Sequence, residues 1–322
     1  MKRMVWFIVF FAALLAPAGC QTSPEVHVDA MPALSAATLD AGERLRVVAT
    51  TTIVGDVVQN VGGEAIDLLV LIPLGADPHA YEPTPQVAVA LSEAHVVFAN
   101  GAGLEAFLEP LLENAGAEVP LVPLSYNLDL RVLEDEHEEE EAGHDHGTVD
   151  PHVWFDPHNI IAWTRTIEAA LTTLDPANGP VYAANAEAYV AALDALDGWV
   201  VEQVSQVPEE HRRLVTDHNV LAYFAARYGF EPVGTVVSGF STLAEPSAQE
   251  RAALEDRIRT LGVPAVFVSV TVNPDLAQQI AADTGVALVP IYTGSLTPAG
   301  GPADSYLNLM RIDVLAIVDA LK

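Results

Sequence analysis

The chain has 322 residues, 51% of them hydrophobic, and 44 acidic against 14 basic side chains give a formal net charge of −30 at pH 7. That length holds two domains with separate cores, and the apolar content excludes a disordered chain. The negative charge argues against a nucleic-acid partner, whose phosphates it would repel. Part of the excess is local, since residues 134–146 carry eight acidic side chains.

At the N-terminus, Lys2 and Arg3 precede an apolar stretch, 5–15, that is too short to span a bilayer comfortably. Ala18 and Gly19 lead into Cys20, the only cysteine, so no internal disulfide forms. Small residues before a cysteine resemble a bacterial lipoprotein signal. The resemblance implies that residues 1–19 are removed and that Cys20 is lipidated, placing the protein on the outer face of the bacterial membrane or in the periplasm. Residues 20–43, rich in Ala, Ser, Thr and Pro, read as a flexible tether.

From Leu45 onward short β-rich runs alternate with helical ones. LRVVATT predicts a strand, IVGDVVQNVG a helix, and DLLVLIP a second strand leading into the loop with His79. Pro85 opens a helix to residue 94, because proline is tolerated in a first turn. HVVFANG is a third strand, 104–115 a helix and EVPLVPLS a broken fourth strand. After the acidic run, Asp156 is the expected N-cap of a helix reaching residue 174. Residues 177–207 hold one long alanine-rich helix that breaks the rhythm and reads as a strut. A second strand–helix alternation fills 208–322, with helices at 219–229, 247–261, 273–283 and 304–321. The expected architecture is α/β, with two Rossmann-like lobes (44–176 and 208–322) joined by a long rigid helix.

Three histidines stand directly after strand candidates: His79 and His152, each ending an Asp-Pro-His tripeptide, and His218 in VTDHN. In open α/β sheets ligands bind beyond the carboxyl ends of strands. Two of these residues belong to the first lobe and one to the second, so the expected site is one divalent metal in the interlobe cleft. Imidazole suits zinc better than magnesium or calcium, and three histidines leave a tetrahedral ion one free position. Asp77, Asp150 and Asp217 are candidates to orient the imidazoles through hydrogen bonds. Free imidazoles of this kind lose metal to protons below about pH 6.5. His27, His95, His158 and His211 read as ordinary histidines. His137, His144 and His146, in the acidic run 134–147, read either as an auxiliary cation collector or as a solvated loop.

The segments GADPHAYEPTP, DPHVWFDP and TDHNVLAYFAARYGFE, with GFSTLAEPSA and DSYLNLMRIDV, resemble the zinc- and manganese-binding solute-binding lipoproteins of ABC transporters. The resemblance covers nearly all of 45–322. It implies capture of Zn2+, with Mn2+ second, between two lobes, and delivery to a permease and its ATPase by a monomer anchored to the membrane through Cys20. It assigns ligands to His79, His152 and His218, and histidine at the third position leans toward zinc. Many members carry aspartate at Gly294 and glutamate at Ser269. The fourth coordination position is therefore expected to hold water or another exchangeable group.

Two readings of another class compete. A zinc hydrolase would use the same three histidines with water, but neither HExxH nor HxHxDH is present. A surface adhesin would need no converging histidines.

Overall fold

Strands β1 (Leu45–Ala49), β2 (Ile66–Val70), β3 (Val96–Ala99) and β4 (Leu121–Pro123) form one parallel sheet in the order β2-β1-β3-β4. The structure is a computed structural model and describes residues 31–115, 118–132 and 149–322. β1 and β3 are almost wholly apolar and buried, as strands covered on both faces must be. Val47 lies beside Leu68 on one side and Val96 on the other. The helices of this lobe are α1 (Thr52–Gly62), α2 (Pro85–Glu93) and α3 (Leu108–Ala115). Thr51 caps α1 by accepting the Val54 N–H.

The second lobe repeats the plan. β5 (Arg213–Thr216), β6 (Glu231–Thr235), β7 (Ala265–Ser269) and β8 (Ala287–Ile291) form a parallel sheet in the order β6-β5-β7-β8. Its helices, in the same numbering, are α6 (Ala222–Tyr228), α7 (Ala248–Leu261), α8 (Asp275–Thr284) and α9 (Tyr306–Leu321). The two lobes thus share a topology that their sequences do not display as a repeat.

Between them lie α4 (Pro157–Leu174), capped by Asp156, and α5 (Gly179–Val204). At 26 residues α5 is about 39 Å long. Tyr182, Ala186, Tyr189, Leu193, Leu196, Val200 and Val204 are buried at helical spacing along one stripe. That stripe packs on α4, on α1 of the first lobe and on α9 of the second. One continuous apolar core therefore runs from Val57 through Leu193 to Ile317.

Four elements depart from the sequence expectation. The helix expected from residue 104 starts at Leu108, because Glu105 turns inward to accept the backbone N–H groups of Asn100 and Gly101 and the Thr50 hydroxyl. The helix expected from residue 219 starts at Ala222, because the Asn219 N–H is drawn to the Gly239 carbonyl. The last helix starts at Tyr306, capped by Ser305. Part of the expected tether lies on the first lobe, where Met31, Leu34, Ala37 and Leu39 pack against the core. There the Ala37 N–H meets the Leu174 carbonyl at 2.8 Å. Among the described residues no helix is long and apolar enough to cross a membrane.

Because α5 shares one core with both lobes, unfolding is expected to be a single transition by calorimetry. Leu193→Ala should lower stability by about 2–5 kcal/mol without splitting that transition. Two transitions, only one of them displaced, would contradict the shared core.

Candidate metal centre

Each of the three histidines is positioned by the residue type before it. His79 lies in the 3₁₀ turn Pro78–Ala80 after β2, with Asp77 as cap accepting the His79 N–H at 3.0 Å. The second Asp-Pro-His repeats that bond between Asp150 and the His152 N–H at 2.9 Å. It adds a contact of Asp150 Oδ1 with His152 Nδ1 at 2.8 Å. His218 follows β5, and Asp217 Oδ1 receives both its N–H and its Nδ1, at 2.8 and 2.9 Å. The other Asp217 oxygen accepts the Ser269 N–H at 2.8 Å, fastening the turn to the end of β7.

These contacts fix the ring tautomers. A carboxylate only accepts, so the imidazole proton of His152 and of His218 sits on Nδ1 and the Nε2 lone pair points away. The Nε2 atoms of His79 and His218 lie 3.1 and 3.2 Å from that of His152. One candidate ligand atom from each of the three histidines lies within 4.8 Å of the other two. Nitrogens on a tetrahedral ion with bonds of about 2.0–2.1 Å are roughly 3.3 Å apart, so the spacing fits a single such ion.

Asp150 supplies an independent sign. It is fully buried, its Oδ2 has no hydrogen-bond partner, and burial pushes its carboxyl up to about 7 despite the bond from the His152 N–H. The charge of Arg131 and the His152 N–H both act to lower it, and burial outweighs them. Asp217 is different. Burial pushes it upward, but hydrogen bonds from His218 and Ser269 outweigh that and hold it below the ordinary carboxylate range.

Of the three aspartates expected to orient imidazoles, Asp150 and Asp217 do so. Asp77 does not: one oxygen caps the His79 turn and the other accepts the Thr242 hydroxyl at 2.5 Å, from the opposite lobe. Gly294 lines the cleft with Pro78, Trp154, Thr242, Thr271 and Thr293. It does not have positive φ; instead a Cβ there would fall 2.7 Å from Pro78 Cδ. Ser269 stands behind Asp217 and receives the Thr293 hydroxyl at 2.7 Å.

Sequence reasoning missed Thr242, Trp154 and Asn100. Trp154 stacks edge-on to His152 at 5.2 Å and donates its Nε1–H to the Thr293 carbonyl. The Asn100 amide holds the Pro151 carbonyl at 3.0 Å, beside His152. Trp154, two residues beyond the second Asp-Pro-His, and Asn100, at the end of β3, were the local hints. His95 bonds the Arg46 N–H, His158 lies against Arg227 and His211 against the Leu321 carbonyl, all away from the cluster. Cys20, His27, His137, His144 and His146 lie outside the described residues.

A family profile described as zinc-uptake complex component A, periplasmic, matches residues 47–320. The chain belongs to this family. It is 33% identical over 322 residues to the manganese-binding lipoprotein MntA of Halalkalibacterium halodurans, covering 100% of this chain and 99% of the relative. It is 30% identical over 288 residues to the manganese ABC transporter substrate-binding lipoprotein PsaA of Streptococcus pneumoniae, covering 87% and 90%. Among solved structures, the periplasmic zinc-binding protein TroA of Treponema pallidum superposes with a TM-score of 0.76 at 25% identity, covering 87% of this chain and 99% of TroA. A manganese-bound periplasmic metal-binding protein of Candidatus Liberibacter asiaticus gives 0.76 at 24% identity, covering 87% and 100%. The protein is thus an extracytoplasmic, lipoprotein-type metal-binding component of an ABC transporter.

In this zinc-uptake-family protein burial also sets the proton competition. It pulls His79 from 6.5 down to about 4, with His218 adding to the effect while Asp77 and Asp217 oppose it. Burial, then His218 and His79, hold His152 well below its ordinary value. Proton competition at His79 thereby moves from the 6.5 of a free imidazole to about 4. In the unfolded chain a histidine takes its proton near 6.5, so below that pH the unfolded state binds more protons than the folded one. Metal-free protein should therefore keep this stability above pH 6.5 and lose it progressively as pH falls toward 4. Because burial raises Asp150 and so works in the opposite sense over the same range, the check is the difference in urea midpoint between wild type and His79→Ala, which should change between pH 7 and pH 5. A difference that is the same at both pH values would contradict the depressed His79.

Proposed function

We propose that His79, His152 and His218 together hold one Zn2+ ion as cargo, which the protein captures outside the cell and delivers to a permease driven by its ATPase. The observation that carries this reading is the convergence of three Nε2 atoms from two lobes, two of them fixed by buried carboxylates. The Nε2 lone pairs of His152 and His218 face one point, the His79 ring arrives at the same point, and a divalent cation held there by all three would turn the repulsion of those lone pairs into attraction. Metal capture and the meeting of the lobes are then one event. The space among the nitrogens is too small to hold even a water-sized sphere, far short of the roughly 300–1,000 Å³ typical of sites for organic ligands. That favours a bare ion over a substrate, and so a carrier over a hydrolase. Lipidation of Cys20 would tether the carrier beside its permease.

Zinc is favoured over manganese by the donor set. Manganese prefers oxygen ligands and sits low in the Irving–Williams order. Among the described residues no carboxylate joins the three histidines as a fourth donor, and water or another exchangeable group completes the shell. Manganese is the second reading, because the relatives from H. halodurans and S. pneumoniae are named for it.

Competition calorimetry decides between the metals. One zinc per chain is expected, displacing an equal concentration of manganese. His79→Ala, His152→Ala and His218→Ala should each weaken zinc binding by well over tenfold, or about 1.4 kcal/mol. Manganese held against equimolar zinc would favour the second reading, and three variants of wild-type affinity would remove the site.

A further inference from the structure

His152 is held from two sides. Asp150 takes its N–H and its Nδ1. The other hold is on the peptide that carries its nitrogen, because the Pro151 carbonyl accepts the Asn100 side-chain N–H at 3.0 Å. Asn100 is fully buried, and the same side-chain nitrogen donates to the Gly101 carbonyl at 2.8 Å. Two carbonyls therefore fix the amide with its nitrogen toward Pro151.

Asn100 is itself held by a buried carboxylate, Glu105. Its Oε1 accepts the Asn100 N–H at 2.9 Å and the Thr50 hydroxyl at 2.5 Å, and its Oε2 accepts the Gly101 N–H at 3.1 Å. One side chain thus ties the ends of β1 and β3. The Thr50 carbonyl in turn accepts the Ile72 N–H at 2.9 Å, where the chain leaves β2 for the His79 loop. To bring Glu105 back onto Asn100 the chain passes through three left-handed residues, Gly101, Ala102 and Gly103, with φ of 78°, 52° and 78°. A left-handed alanine is unfavourable and persists only where its surroundings fix it. The bonds to Glu105 do that.

We propose that Glu105 is a positioning residue for the metal site, acting through Asn100 on the Pro151–His152 peptide. This rests on the metal-carrier reading above. Each oxygen of the carboxylate takes a backbone N–H, so an amide in its place turns an NH2 group toward one of them in either orientation. Repulsion there shifts Asn100, frees the Pro151 carbonyl and leaves His152 to Asp150 alone. Metal–ligand distances are defined to about 0.2 Å, so slack in that peptide weakens the shell.

The test is zinc affinity, by competition with a chromophoric chelator, on the purified full chain and its variants. Asn100→Ala should lose about 10- to 100-fold, the range seen when groups that position metal ligands are removed. Glu105→Gln should lose affinity in the same way. The double variant should be no weaker than the weaker single, because both changes remove one hold, whereas independent lesions would multiply. Val61→Ala, buried in the last turn of α1, lowers stability through a cavity and should bind zinc as the wild type does, which separates lost stability from lost position. Should Glu105→Gln fail to fold by circular dichroism, Glu105→Asp takes its place, since the shorter acid keeps the charge but cannot reach both N–H groups. Wild-type affinity in folded Asn100→Ala, losses that multiply in the double variant, or an equal loss in Val61→Ala overturns the proposal. Absence of zinc binding by the wild type would instead overturn the carrier reading beneath it.

Discussion

A buried carboxylate is tolerable only where something nearby answers its charge, and the Asp150–His152 pair is the place where the molecule depends on that rule. Both residues are within 1% of complete burial. The acid takes the backbone N–H and the ring N–H of the same histidine, and its own carbonyl accepts the Tyr223 hydroxyl from the second lobe. What remains unanswered is one oxygen and the excess negative charge. On the proposed reading, a cation on the far side of the imidazole would answer that charge through the ring.

The same logic runs outward through the lobe contacts. Tyr306, at the start of α9, bonds the Trp154 carbonyl with its hydroxyl and the Asp56 carboxylate with its N–H, joining α1, the His152 turn and the second lobe. The Leu296 N–H reaches Thr52 Oγ1 at the start of α1. The loop from Tyr292 to Leu296 is thus held by both lobes at once, with Asp313 on α9 accepting the Tyr292 N–H. Histidine nitrogens from different lobes come to 3.2 Å of one another because the surfaces behind them are bonded across the cleft.

Much of this was legible in the chain, and the limits have physical causes. Strand–helix alternation disclosed both sheets, since parallel strands buried on both faces read as short apolar runs. The repeated Asp-Pro-His disclosed two of the three converging histidines, since the aspartate caps its own turn two residues on, a local bond. Asp217 beside His218 was equally local. Asp77 escaped because its partner is Thr242, 165 residues away, and no local pattern encodes a contact of that span. Gly294 reads in the sequence as a missing donor; that a Cβ there would also fall 2.7 Å from Pro78 Cδ is seen only in the packing. The early turn at Glu105 was hidden because a buried carboxylate satisfied by backbone N–H groups overrides helix propensity.

The acidic balance of the chain suits a carrier of cations, raising their concentration near the surface, and the proposed reading assigns selectivity to the three inner histidines. X-ray absorption on the zinc-loaded protein examines those ligands directly. The account predicts three imidazole nitrogens near 2.0 Å and one further light atom that exchanges with solvent. A shell with fewer than three imidazoles, or with a protein carboxylate such as Asp77 in the fourth position, would contradict it.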